Sequence, residues 1–164
     1  MSPFNAFLFL QGLETLSLRM ARHVENAAAV AEYLQSHALA SNVTYPGIRT
    51  SRYRALVEKY LPRGAGAVFT FDCVGGRAAG QDFIRGVSLW SHLANVGDAK
   101  SLIIHPASTT HRQLSEEELK AAGVGPGTIR LSVGIEAADD LIWDLAQGFA
   151  KVEAGAGASA EVTR

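Results

Sequence analysis

Three short stretches of the chain carry residue types suited to gripping a small anionic molecule. Arg130 lies in Thr128-Ile129-Arg130-Leu131-Ser132-Val133, where alternation turns Ile129, Leu131 and Val133 one way and Thr128, Arg130 and Ser132 the other. A planar guanidinium on the polar face of a rigid strand can hold a carboxylate through two parallel hydrogen bonds. On spacing alone, a solvated strand arginine is the more frequent outcome. The second stretch, Asn95-Val96-Gly97-Asp98, is a polar loop with Lys100 close behind it. The third, His105 to His111, holds Ser108, Thr109 and Thr110 in a row; such hydroxyls either line a polar site or, more commonly, satisfy their own turn.

Other chemistries find less support. His105 and His111 match no usual metal-ligand spacing, and with one cysteine and no paired carboxylates beside them zinc is disfavoured. His23 sits on an apolar helical stripe and reads as a satisfied core histidine, not a base. Gly64, Gly66, Gly75-Gly76 and Gly97 lack the lysine and hydroxyl spacing of a phosphate loop and read as turns. Ser88, Ser101 and Ser108 have no Gly-x-Ser-x-Gly setting, so a serine hydrolase is unsupported.

Several elements must position these groups. Ser2 caps a helix with Pro3 in its first turn, and Phe4, Ala6, Phe7, Leu8, Phe9 and Leu10 cover every side of it. A helix apolar all round calls for burial on all sides, against another domain or another copy of the chain. After Gly12 the pattern narrows to a stripe of Leu16, Met20, His23, Ala27, Ala31 and Leu34, ending near His37. Val43-Thr44-Tyr45 reads as a short strand stopped by Pro46-Gly47, Tyr53 to Tyr60 as a short helix, and Ala67 to Val74 as the strongest strand. Arg77 to Val87 has helical spacing. Ser88 to Leu93 and Leu102 to Ile104 read as strands on either side of the Asn95 loop. Ser115 and Glu118 form a capping box. Thr128 to Val133 is the last strand and Glu136 to Ala150 the last helix. Short, hairpin-compatible links favour an α+β fold: a small, mainly antiparallel sheet covered by helices.

Composition narrows the classes further. The chain has 164 residues, 48% of them apolar and 19% charged, enough for one packed domain. Its 15 basic and 16 acidic residues are mixed along the chain, which leaves no cationic face and makes nucleic acid an unsuited partner. The apolar window Phe4 to Leu10 is too short to span a bilayer and lacks the flanks of a secretory signal, so no membrane association is expected. Cys73, alone in an apolar run, excludes an internal disulfide and fits a reducing, cytoplasmic setting. The abrupt opening Met1-Ser2-Pro3-Phe4-Asn5 reads as a cut end.

The same residues carry a resemblance. Ser2-Pro3-Phe4-Asn5-Ala6-Phe7-Leu8, Gln11-Gly12-Leu13-Glu14-Thr15-Leu16, Arg19-Met20, His23 and Asn26-Ala27 resemble the helix pair that opens the C-terminal domain of the pyridoxal-phosphate (PLP) enzymes of cysteine and methionine metabolism. The likeness runs almost without gaps to Phe149. Tyr60-Leu61-Pro62-Arg63-Gly64-Ala65-Gly66-Ala67 and Asn95-Val96-Gly97-Asp98 resemble most the O-acetylhomoserine sulfhydrylase branch, other branches more often carrying a serine at the position of Asn95.

This resemblance implies the C-terminal domain of a fold-type I PLP enzyme over residues 1–151, with 1–37 as its opening helical segment; the remaining 152–164, small-residue-rich and without a period, read as a disordered tail. It implies a γ-replacement in which acetate leaves O-acetyl-L-homoserine and sulfide adds to give L-homocysteine. Arg130 matches the family arginine that grips the substrate α-carboxylate, Asn95 the loop position that helps hold it, and Thr110, more weakly, a hydroxyl near cofactor and substrate. The cofactor lysine and the phosphate and ring contacts belong to an upstream domain that these residues do not contain. Lys59, Lys100, Lys120 and Lys151 do not match its motif, so no catalytic or cofactor-binding residue is expected here and the isolated chain is expected to be inactive, without covalently bound PLP. The implied partners are an amino-acid substrate, the chain's own N-terminal PLP domain and further copies in a homo-oligomer, tetrameric in the parent. The alternatives are a cystathionine γ-synthase or lyase, using the same Arg130 with a different acceptor, and a noncatalytic, self-associating module that kept this fold.

Overall fold

In a computed structural model the chain is described over residues 1–161, with side chains described to residue 157. Among the described residues six α-helices accompany one four-stranded sheet: α1 (Pro3–Glu14), α2 (Leu16–Ser36), β1 (Ala40–Ser41), α3 (Arg54–Tyr60), β2 (Val68–Cys73), α4 (Gly76–Gly86), β3 (Leu102–Ile104), α5 (Glu116–Ala121), β4 (Thr128–Ser132) and α6 (Ala138–Glu161). The strands lie in the order β1-β2-β4-β3, and every neighbouring pair is antiparallel. This is the small antiparallel sheet with helices that the sequence pattern favours.

Alternation along β2 and β4 decides what is buried. Phe69, Phe71 and Cys73 join Ile129, Leu131, Val133 and Ile103 in one core with Val30 and Leu34 of α2, Phe83 of α4, and Leu141, Leu145 and Phe149 of α6. Phe83 lies 4.6 Å from Phe149, ring centre to ring centre, close enough for a direct aromatic contact. Helices α4 and α6 approach through glycine: a Cβ on Gly86 would lie 2.8 Å from the Cα of Gly148. Ser115 and Glu118 make the expected capping box at the start of α5.

The opening segment divides at Thr15, whose φ of -104° and ψ of 3° separate α1 from α2. Ser2 caps α1 through the Asn5 N–H, with Pro3 in the first turn. No residue of α1 is buried; Phe4 is 67% and Phe9 64% exposed. Along α2 the expected stripe is buried only from His23 onward, while Leu16 and Met20 remain exposed. His23 donates from Nδ1 to the Val133 carbonyl at 2.6 Å, the satisfied core role expected of it.

Three elements differ from the sequence pattern. The edge strand is Ala40–Ser41, not Val43 to Tyr45, because Asn42 turns left-handed at φ 48° and interrupts the ladder. Thr44 still bonds the β2 edge through its N–H to Thr70 O at 2.8 Å. Ser88 to Leu93 supplies one parallel bridge, Ser91 with Leu102, not a strand. The tail expected to be disordered from residue 152 instead continues α6 to Glu161. Val152 is buried against the core, and alanine favours helix strongly enough to carry the intervening glycines; residues 162–164 of that expected tail lie outside the described residues. No described helix is long and apolar enough to cross a membrane.

Candidate functional site

Arg130 occupies the middle of β4, opposite Thr70 on β2 and Ile104 on β3. Directly opposed residues in an antiparallel sheet share a face, so the guanidinium stem rises between a hydroxyl and an aliphatic wall. Its flanking face-mates Thr128 and Ser132 are buried while Arg130 itself is only partly so. One guanidinium N–H donates to the Asn95 main-chain carbonyl at 3.2 Å. Among the described residues no carboxylate forms an ion pair with Arg130; the three ion pairs join Arg22 to Glu25, Arg54 to Glu58 and Arg85 to Asp82. A half-covered guanidinium fixed at one donor and lacking an internal counterion can take an external carboxylate with the donors that remain.

Asn95 meets Arg130 because the 92–98 loop folds back over β4. The loop keeps its own shape through Asn95 Oδ1, which accepts from Val96 N–H at 2.8 Å, and through Asp98, which accepts from Lys100 N–H at 3.1 Å. These are Asx-type local bonds, and Gly97 at φ 75° supplies the left-handed turn between them. The structure thus brings together Asn95 and Arg130, which lie far apart in sequence.

Thr110 is placed differently. It is exposed, and its hydroxyl pairs with the neighbouring His111 Nδ1 at 2.8 Å; among the described residues no hydrogen bond joins it to Arg130 or Asn95. The hydroxyl row mostly satisfies its own turn, since Thr109 donates to the His105 carbonyl at 2.8 Å and the Ser108 hydroxyl lies 2.8 Å from the His105 ring. The segment nevertheless leaves the sheet at Ile104, the register partner of Arg130.

His105 anchors that segment. Its Nε2 must donate to the Pro126 carbonyl at 2.7 Å, which leaves Nδ1 to accept from the Ser108 hydroxyl at 2.8 Å. Burial first, then the charge of Arg77 and the neighbouring His92, push its pKa below the ordinary histidine value, against a raising effect of the Pro126 bond. Both ring nitrogens are occupied, so His105 is a neutral brace. Among the described residues no group of three or more potential ligands could hold a metal.

Two buried or half-buried carboxylates near this site escaped the sequence pattern. Asp144 is fully buried on α6 and Glu136 lies just before that helix; both bind main-chain N–H groups of the segment that carries Asn95. Asp144 falls three residues after Leu141 and one before Leu145, on the apolar face. A carboxylate there requires partners, and that was the available signal.

Comparison with known proteins supplies a family. Residues 1–150 match the model of the Cys/Met metabolism PLP-dependent enzymes. The chain is 52% identical to the O-acetyl-L-homoserine sulfhydrylase of Leptospira meyeri over 152 residues, 92% of this chain and 34% of that protein. It is 52% identical to the homocysteine synthase of Schizosaccharomyces pombe over 148 residues, 90% of this chain and 34% of that protein. Among solved structures, an O-acetylhomoserine (thiol)-lyase of Campylobacter jejuni holding N'-pyridoxyl-lysine-5'-monophosphate aligns with a TM-score of 0.82 at 46% identity, covering 91% of this chain and 35% of the other. Cystathionine γ-synthase of Xanthomonas oryzae, in complex with aminoacrylate and cysteine, aligns with a TM-score of 0.82 at 43% identity, covering 93% and 39%. The chain spans about a third of the length of the curated relatives it matches.

Proposed function

The chain belongs to the PLP-dependent enzymes of Cys/Met metabolism, and we propose that it is the C-terminal, substrate-side domain of an O-acetylhomoserine sulfhydrylase, which turns O-acetyl-L-homoserine and sulfide into L-homocysteine and acetate. Within that enzyme its task is to grip the α-carboxylate of the amino acid. The observation that carries this reading is Arg130: half-covered, tethered by one N–H to Asn95, and without a carboxylate partner among the described residues. A rigidly held guanidinium fixes the amino acid at its unreactive end, a contact made alike by bound substrate and transition state. Asn95 completes the grip, and Thr110 contributes from the neighbouring segment only if the rest of the enzyme brings substrate to it.

The residues of this chain do not fit the cofactor itself. Lys59, Lys100, Lys120 and Lys151 are all exposed, whereas a lysine that captures a carbonyl needs a setting that lowers its affinity for protons. We assign the cofactor's lysine and phosphate contacts to the remaining length that the relatives possess, and the exposed apolar surface of α1 to contact with that domain or with another copy in a homo-oligomer, a tetramer in the parent. A cytoplasmic setting fits Cys73, a buried, unpaired thiol. The likeness to a cystathionine γ-synthase supports a second reading, with the same grip and a different sulfur nucleophile; product analysis with sulfide against cysteine separates the two.

The deciding experiment is Arg130→Lys in the full-length enzyme. It retains charge, loses the two-pronged geometry, and is expected to cost about 1.5 to 3 kcal/mol in kcat/KM for O-acetyl-L-homoserine. An unchanged kcat/KM rejects the carboxylate role.

A further inference from the structure

We propose that Asp144 and Glu136 are positioning residues for this site: they clamp the two feet of the 92–98 loop and thereby set the Asn95 carbonyl against Arg130. The inference rests on the carboxylate-grip reading above.

Asp144 is fully buried, and its charge is met at the first foot. The N–H groups of Ser88, Leu89 and Trp90 donate to it at 2.8 to 3.1 Å, and the Ser88 hydroxyl at 3.1 Å. Trp90 Nε1 donates to the Leu141 carbonyl at 3.1 Å, which fastens the same foot to the preceding turn of α6. A carboxylate held by successive main-chain N–H groups dictates the shape of that backbone.

Glu136 holds the second foot. It accepts from the Ser101 N–H at 2.7 Å and from the Ser101 hydroxyl at 2.8 Å, and that hydroxyl oxygen accepts from Gly134 N–H at 2.7 Å. Ile135 N–H donates to Ala99 O at 3.0 Å, and the feet are tied to each other by Ser91 N–H to Ser101 O at 3.0 Å. The chain crosses so closely here that a Cβ on Gly134 would lie 2.5 Å from both Ala99 O and Ser101 N. Both carboxylates belong to the continuous stretch from Arg130 into α6, so the arginine and the loop that faces it stand on one base.

The α-carboxylate is the same in substrate and transition state, so a loosened grip weakens both equally and raises KM while sparing kcat. In the full-length enzyme, Asp144→Asn and Glu136→Gln are expected to raise KM for O-acetyl-L-homoserine on the order of 10-fold with kcat within about twofold. Amide hydrogen exchange across 92–98 should accelerate in both. Gly134→Ala, whose Cβ would crowd the Glu136 carboxylate together with Ala99 O and Ser101 N and so displace the second foot while leaving Asp144 intact, should give the same split, and it decides the matter where Asp144→Asn does not fold. Unchanged exchange across 92–98 in the folded variants overturns the clamp. Faster exchange with unchanged KM, or a loss confined to kcat, overturns the positioning role. Arg130→Lys run in parallel locates the failure: if it lowers kcat/KM while the foot variants do not, the positioning proposal falls alone, and if it too leaves kcat/KM unchanged, the carboxylate reading falls with it.

Discussion

On one face of the sheet Phe69, Phe71, Ile129 and Leu131 disappear beneath α2, α4 and α6; on the other, Thr70 and Arg130 stand side by side with the Asn95 loop folded over them. The strands are the same and only the alternation differs. The helix-covered face excludes water and sets the height of every backbone atom in β2 and β4. The opposite face inherits that rigid backbone and can leave a charged group unpaired without losing its geometry. On the proposed reading, stability and recognition are carried by alternate residues of one strand, and substitutions on the two faces should fail in different ways.

The largest effect should come from Phe71→Ala on the covered face. Phe71 is fully buried between Phe83 and Phe149, and its loss should destabilise the chain by about 3 to 5 kcal/mol, read by thermal or denaturant unfolding. Arg130→Lys should invert the pattern. The kcat/KM loss described above should come with a melting temperature within about 2 °C of the parent, since an arginine without an ion pair adds little to stability. A large fall in melting temperature would show the two faces to be less separate than the hydrogen bonds indicate.

A subtler contrast lies in pH. Burial raises the Cys73 thiol on the covered face from 9.0 to about 11. The folded chain therefore keeps a proton that the unfolded chain releases between those values, so the contribution is full below pH 9 and declines as pH rises towards 11. The melting temperature of the native sequence should drop more steeply across that window than that of Cys73→Ala; parallel slopes would refute it. The smallest effect is expected of Thr110→Val on the open side. Among the described residues its hydroxyl bonds only to His111, and KM should change less than about threefold.

Much of this contrast could be read from the residues in order. Alternation in Ala67 to Val74 and Thr128 to Val133 marked both strands and their core faces, and Ser115 with Glu118 marked a helix start. The length of α6 was hidden because Ala154 to Ala160 carries no apolar stripe; the helix is sustained by alanine and by Val152, whose burial depends on what packs there. Arg130 and Asn95 each stood out by type, and the family resemblance put them in one site, but their contact depends on the loop returning over β4, which no local pattern encodes. Asp144 and Glu136 were silent for a related reason. A carboxylate on or beside a helix reads as solvated until the opposing N–H groups, more than thirty positions away in sequence, are in place.

The neighbourhood of β2 and β4 also sets a schedule. Phe71 pairs with Ile129 across α4, the Asn95 loop, β3 and α5. Closing so long a stretch costs chain entropy before any pairing rewards it. Helices α2, α4 and α6 can form from local contacts, whereas Arg130 has no neighbours until β4 slots between β2 and β3. A newly made chain should therefore acquire its helical signal before its grip, and a defect in the β4 insertion step would yield a chain rich in secondary structure yet blind to its ligand.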